Sequence, residues 1–258
     1  VLASTAATLD ELSGGRLILG LGGSTPNLVE GWHGLEFKAP LARTRETIAI
    51  CRKIWARDKS PFEGEIFRTG GVKLAFQPLR EEIPIWHGAI LERGLQACGE
   101  AADGWIPANI PAECIPWGSE KLAQASAGRE RTPIIAPTFQ LLAHEDVDAV
   151  LPMAKFGIAM YYGQASSPYA KAAAALGYAE DVAELQAAYK EGGSQQAVAA
   201  VSDRLAHSVS ITGSIEDCRQ RVGSLLGAGA DRLIVTMPAA TRAECEPVLE
   251  GSIPEQMK

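Results

Sequence analysis

The sequence lacks the residue patterns that hold metal ions or disulfide frameworks. None of its four histidines stands in the H-E-x-x-H or H-x-H spacing that brings two imidazoles to one ion, so we expect no metal site. The five cysteines are odd in number, widely scattered and without a C-x-x-C pair, which argues against structural zinc or a disulfide framework. We interpret them as reduced thiols, at Cys51, Cys98, Cys114, Cys218 and Cys245.

Positive charge is also scarce. Lysine and arginine number 24 against 31 acidic residues, a net charge of −7, which excludes the basic surface that general binding to nucleic acid or anionic membranes requires. No apolar run approaches the roughly 20 residues of a membrane span, and the first residues do not resemble a signal peptide. We expect a cytoplasmic protein with a small-molecule partner, folded as one domain over residues 1–258.

The sequence does contain a repeated order of helix, glycine and apolar strand. The first helix-forming stretch ends at Ser13-Gly14-Gly15 and leads into a strand at Arg16–Gly22. Four more strands are predicted, at Ile83–Ala89, Gly104–Ile106, Pro133–Ala143 and Leu233–Met237. Because these five runs are continuously apolar rather than alternating, they favour an α/β fold with a parallel sheet and helical crossovers.

Helices are predicted between these strands, at Leu41–Ala56, Leu91–Ala101 and Ile215–Leu226. Ser214 is placed to cap the last of these helices, with Asp217 three residues further on. The alanine-rich stretch Ala149–Ala206 is interpreted as an inserted helical region with breaks at Pro168, Gly177 and Gly192-Gly193. A short hairpin-like insertion is predicted around Gly64 and Gly70-Gly71.

The first glycine loop, GLGGST, admits two interpretations. It is a poor dinucleotide fingerprint, because Thr25 occupies the place of the third glycine and no helix follows before Pro40. The backbone amides of Gly22, Gly23 and Ser24 could instead approach a flat ring or polar ligand edge closely, as the rim of an active site. A glycine turn without any ligand is the alternative.

The second glycine loop, HGAILER, leaves a strand at Gly88-Ala89-Ile90 and enters a helix near Leu91. The amides at a helix start form a potential anion site, to which Arg93 adds positive charge. The alternative is that Arg93 is a solvated residue on the first helical turn.

Two further residues are candidates for proton transfer. His33 lies in a loop with Glu30 and Trp32, where a proton donor beside an aromatic wall suits a pocket. The simpler interpretation is that Trp32 has only a structural role and packs the loop against the rest of the protein. No G-x-S-x-G motif is present, so a serine hydrolase is not indicated.

Several long stretches, in order, resemble the luciferase-like oxidoreductases, and most closely the branch that uses the deazaflavin coenzyme F420 and includes methylenetetrahydromethanopterin reductase. The resemblance runs from Ala6 to Pro238. The stretches that carry it are TLDELSGGRLILGLGGSTPNLVEGWHG, PLARTRETIAICRKIW, PFEGEIFRTGGVKLAF, IPIWHGAILERGLQACGEAADGWIPA, SPYAKAAAALGYAEDVAELQAAY, SQQAVAAVSDRL and TGSIEDCRQRVGSLLGAGADRLIV.

This resemblance implies a TIM-type (β/α)8 barrel, with the coenzyme across the carboxyl ends of the strands. The loop Gly22-Gly23-Ser24 would then pass the deazaflavin ring, while Gly88, Ala89, Ile90 and Arg93 would receive the coenzyme phosphate. At the phosphate helix this chain carries Leu91-Glu92, where relatives carry Gly-Pro, which adds a negative charge. The implied activity is hydride transfer between the deazaflavin and an organic substrate, with His33 or Glu30 as proton donor.

Because family members begin with three strand–helix units before the segment that matches here, we expect the chain to be N-terminally truncated. The helical insertion before the last strand then accounts for 258 residues with only five strands. Two other functions stay open: an FMN-dependent monooxygenase of the same superfamily, and a non-catalytic barrel fragment. A homodimer through the barrel helices is the assembly that the family suggests.

Overall fold

The structure, a computed structural model, describes residues 1–71, 73–238 and 242–254. Positions 72, 239–241 and 255–258, which the predicted single domain includes, lie outside the described residues. The chain divides into two compact units. The first comprises Val1–Trp105 and Lys121–Pro133, and the second Ile106–Glu120 and Ile134–Lys258.

Helices and short strands alternate along the chain. The helices are α1 (Leu2–Leu12), α2 (Pro26–Val29), α3 (Pro40–Trp55), α4 (Glu92–Ala101), α5 (Cys114–Ala125), α6 (Val147–Tyr162), α7 (Pro168–Ala173), α8 (Ala179–Ala200), α9 (Asp203–Val209), α10 (Ile215–Gly227) and α11 (Arg242–Ser252). The strands are β1 (Leu19–Gly22), β2 (Phe62–Glu63), β3 (Arg68–Thr69), β4 (Ile85–Gly88), β5 (Gly104–Trp105), β6 (Ile134–Ile135), β7 (Thr138–Ala143), β8 (Ser210–Gly213) and β9 (Ile234–Thr236). A π-helical turn, Ala174–Tyr178, joins α7 to α8.

In the first unit, β4 lies between β1 and β5, and both pairs are parallel. As predicted, α1 ends at two glycines in the left-handed region, Gly14 at φ 66° and Gly15 at φ 79°. The carboxylate of Asp10, a buried residue of α1, accepts hydrogen bonds from the Arg80 guanidinium and from the backbone amide of Leu17. These contacts fix the helix to the segments that precede β4 and β1.

The predicted hairpin is present as the antiparallel pair β2 and β3. Its turn is fixed to α3 by one carboxylate, since Glu46 accepts hydrogen bonds from the backbone amides of Glu65, Ile66 and Phe67 at 2.7–3.1 Å. Burial acts to raise the pKa of Glu46, but these three amides and the charge of Arg43 outweigh it, so the pKa is lowered. The turn of the hairpin is therefore anchored to α3.

In the second unit, β7 lies between β8 and β9, again with parallel pairing. Helices α6 to α9 enclose an apolar cluster of their own, which includes the fully buried Tyr162, Leu185 and Leu205. Breaks fall where predicted: α7 begins at Pro168, and Gly177 and Gly193 adopt φ of 99° and 68°. Ser214 and Asp217 form a reciprocal capping box at the start of α10, which confirms the predicted cap.

The predicted count of five strands is wrong in two places. The run Pro133–Ala143 contains two strands, β6 and β7, because Ala136 and Pro137 interrupt it. The strand β8 was not predicted; it lies between the helical region and the predicted helix α10. The parallel ladders are divided between two sheets rather than running uninterrupted through all the strands.

Candidate active site

The two glycine loops of the first unit leave the sheet side by side. Parallel pairing places Leu21 beside His87 and Gly22 beside Gly88 at the carboxyl ends of β1 and β4. Among the described residues, a Cβ atom built on Gly22 would have one neighbour within 4 Å, the Gly88 carbonyl oxygen at 3.9 Å. Two adjacent strands thus end in bare backbone, a surface that a flat ligand can approach closely.

A groove of about 370 Å³ begins at Gly22 and Gly23, which we call the glycine edge. Its lining combines apolar side chains with one acidic and two basic residues. The lining residues are Leu21, Gly22, Gly23, Ser24, Val29, Leu35, Glu36, Phe37, Lys38, Pro40, Arg43, Thr44 and Thr47. A mainly apolar groove with a few convergent polar groups is typical of a small-molecule site.

The backbone around the groove is strained at two non-glycine residues. Ser24 at φ 58° and Ala39 at φ 47° both occupy the left-handed region, which costs energy and is concentrated at functional sites. In the described part of the chain, the Ser24 amide donates to no protein acceptor. This N–H group is therefore available to a ligand.

The amino-terminal half of α3 forms the groove wall that sequence reasoning missed. Arg43 donates from Nε to the Lys38 carbonyl oxygen at 2.9 Å, and its guanidinium lies 5.6 Å from the centroid of the Phe67 ring. Thr44 and Thr47 follow on the same helix. The available signal was Pro40, which marks a helix start, but nothing local showed that this helix faces the first glycine loop.

The two predicted proton donors do not line the groove. His33 is exposed, and its ring stacks on Trp32 with centroids 5.7 Å apart. The Glu30 carboxylate accepts the Phe37 amide at 3.0 Å and so fixes the loop that carries a groove residue. A catalytic role for either residue stays a prediction, while the structure gives Glu30 a positioning role.

In the second glycine loop, Ala89 is buried, and its carbonyl accepts a hydrogen bond from the Trp105 indole at 2.8 Å. Arg93 is exposed on the first turn of α4. The negative charge that Glu92 introduces at this helix start is paired with Lys121 Nζ at 2.6 Å. That ion pair reduces the repulsion that Glu92 would exert on an anion.

His87, one residue before this loop, was not predicted to have any role. It is 2% exposed, and its Nδ1 atom has no hydrogen-bond partner among the residues that the structure describes. Burial, assisted by the charge of Arg45, lowers its pKa to about 4. The imidazole beneath the loop is therefore neutral at physiological pH.

Comparison with known proteins settles the family, because the model of the luciferase-like monooxygenases matches residues 1–232. The chain belongs to the luciferase-like monooxygenase family. Of its relatives, a Mycobacterium tuberculosis protein provisionally named as a coenzyme F420-dependent oxidoreductase is 34% identical, over 92% of this chain and 75% of the relative. The 5,10-methylenetetrahydromethanopterin reductase of Methanolobus tindarius is 29% identical, over 95% of this chain and 74% of the relative.

The fold agrees with this family. The coenzyme F420-dependent tetrahydromethanopterin reductase of Methanopyrus kandleri superposes with a TM-score of 0.82, at 20% identity, over 100% of this chain and 79% of that one. The predicted luciferase-like TIM-barrel class is thereby confirmed. Within the described residues, no helix is long and apolar enough to cross a bilayer, and no group of three or more His, Cys, Asp and Glu side chains is arranged to hold a metal ion.

Proposed function

We propose that this luciferase-like protein is an oxidoreductase that transfers a hydride between coenzyme F420 and a small organic substrate. The observation that carries the proposal is the bare backbone of Gly22 and Gly23 in the groove, where Gly22 pairs with Gly88 at the end of β4. The F420-dependent relatives support the choice of coenzyme.

The residues present fit a deazaflavin, whose reactive part is a flat ring system. The glycine edge accepts a flat face, since no side chain projects from Gly22 or Gly23, and Leu21, Val29 and Phe37 supply apolar contact. The free amide of Ser24 matches the polar edge of such a ring. In the second loop, Gly88, Ala89, Ile90 and Arg93 are proposed to hold the phosphate.

When bound, the coenzyme supplies the hydride chemistry, and the chain supplies binding, orientation and exclusion of water. The ring would rest on Gly22, Gly23 and Ser24. Lys38 and Arg43 place positive charge along the groove, which favours an anionic group on coenzyme or substrate. Burial keeps His87 neutral, so it adds no charge below the second loop.

The test is equilibrium titration of the chain with F420 and, separately, with FMN. We expect saturable F420 binding at least about tenfold tighter than FMN binding. Gly22→Val should weaken F420 binding by at least about tenfold, because the side chain enters the groove while the nearest protein atom to its Cβ is 3.9 Å away.

Gly157→Ala is the control, since its Cβ on α6 would meet no atom of the described residues within 4 Å. It should leave F420 affinity unchanged, and the melting temperatures of both variants should remain close to that of the parent. Tighter binding of FMN would favour the monooxygenase alternative. Absence of binding to either coenzyme would overturn the proposal.

A further inference from the structure

The second unit contains a cavity of about 310 Å³ that the proposed function does not use. Every side chain that lines it is polar or charged. The lining residues are Glu113, His207, Ser208, Ser210, Thr212 and Arg221. The cavity opens to solvent, since Glu113 and His207 are exposed, so a polar ligand can reach these groups.

The Glu113 carboxylate is held in a fixed position. It accepts hydrogen bonds from the Tyr178 hydroxyl at 2.9 Å and from the Ser208 hydroxyl at 2.6 Å. Burial acts to raise its pKa, but the hydrogen bonds from Ser208, its own amide and Tyr178, together with the charge of Arg221, outweigh burial and lower it. Glu113 is therefore an oriented negative charge that retains free lone pairs on both oxygens.

Arg221 supplies positive charge to the same cavity without neutralising Glu113 directly. Its Nη2 donates a long hydrogen bond of 3.4 Å to the His207 carbonyl oxygen. Among the residues that the structure describes, no carboxylate oxygen lies within the 4.0 Å of an ion pair to this guanidinium. Two opposite charges therefore line one cavity without forming an ion pair, and most of the guanidinium N–H groups have no acceptor within the described ranges.

The remaining polar groups are positioned by local contacts. His207 Nδ1 lies 2.8 Å from the Thr212 hydroxyl oxygen, which orients the imidazole on the exposed end of α9. The Ser210 hydroxyl donates to the Ala206 carbonyl at 2.6 Å, so its oxygen is left as an acceptor. The cavity thus offers donors around Arg221 and acceptors around Glu113 and Ser210.

We propose that this cavity binds a small zwitterion of the free amino acid class, with its carboxylate on Arg221 and its ammonium group on Glu113. The two fixed charges sum to zero, so a ligand that carries both signs gains both attractions. A simple anion would be repelled by Glu113, and a simple cation by Arg221. This site lies within the second unit and is independent of the proposed coenzyme groove.

Calorimetric titration tests this inference with glycine, β-alanine and 4-aminobutanoate, which differ in the spacing between their charges. Acetate and methylammonium, at matched ionic strength, are the single-charge controls. We expect saturable binding of at least one zwitterion in the millimolar range or tighter, with both single ions at least about tenfold weaker. Binding of none of the three zwitterions, or equal binding of acetate, would overturn the proposal.

Two variants assign the charges. Arg221→Gln should weaken the zwitterion by at least about tenfold, whereas Arg219→Gln, on the same helix but outside the cavity lining, should not. Glu113→Gln should abolish the preference for the zwitterion, measured as the ratio of its affinity to that of acetate. A merely structural role for Glu113 would leave this ratio unchanged. An unaltered affinity in Arg221→Gln, or an unaltered ratio in Glu113→Gln, would contradict the assignment.

Discussion

The buried imidazole of His87 should make the stability of the protein fall between pH 6.5 and pH 4. Burial, with the charge of Arg45, lowers the folded-state pKa from 6.5 to about 4, so the folded protein resists protonation that the unfolded chain accepts. The stabilisation is fully present above pH 6.5 and is lost as the pH falls toward the folded pKa. At about 1.4 kcal/mol per pKa unit, the full loss is roughly 3 kcal/mol.

The perturbation is His87→Leu, which removes the titrating group and replaces a buried side chain with an apolar one. Urea unfolding at a series of pH values gives the free energy of unfolding for parent and variant. The free energy of unfolding of His87→Leu, taken relative to that of the parent at the same pH, should rise by roughly 3 kcal/mol from pH 7.5 to pH 4. Contributions from other titrating groups are the same in both proteins and cancel in this difference. His33→Gln, which removes an exposed imidazole from the same unit, is the reference variant. Parallel pH profiles for parent and His87→Leu would refute the reasoning.

Three further predictions concern contacts that stabilise individual elements of the fold. Arg80→Met should destabilise the fold by roughly 3 kcal/mol in urea unfolding, because it leaves the buried Asp10 carboxylate uncompensated, and adding Asp10→Asn should recover part of that loss. Glu46→Gln should speed amide hydrogen exchange at 65–67 several-fold, and unchanged exchange there would show that the carboxylate does not fix the hairpin. Ser214→Ala should cost about 1 kcal/mol by removing the capping box of α10, measurable by thermal unfolding.

The sequence was sufficient for elements that are defined locally. The end of α1 at Gly14 and Gly15 follows from the left-handed conformation that glycine adopts without a steric cost. The capping of α10 follows from a serine with a carboxylate three residues later. Both signals lie within a few neighbouring residues, so the sequence alone predicts these two helix ends.

The elements that were missed depend on partners distant in sequence. The strand β8, with the sequence SITG, has no distinctive apolar run, and it is a strand because β7, some 70 residues earlier, pairs with it. Helix α5 was also unassigned, since its pattern is interrupted by Pro116 and Gly118. Tertiary pairing, rather than local propensity, determines such segments.

The candidate site likewise combines residues that the sequence predicts with residues that it does not. Gly22 and Gly88 were singled out as glycines at strand ends, but their adjacency depends on the register between β1 and β4. The groove wall at Arg43, Thr44 and Thr47 could not be found, because these residues look like an ordinary polar helix face. His87 is distinguished only by burial, which periodicity in a continuously apolar strand cannot reveal.

The central claim is that the groove at the glycine edge receives the flat ring of coenzyme F420. A crystal structure of the chain grown with F420 tests it most directly. The account predicts the deazaflavin ring against Gly22, Gly23 and Ser24, with its phosphate toward the Gly88 loop. A ring bound elsewhere, with this groove filled only by solvent, would contradict it.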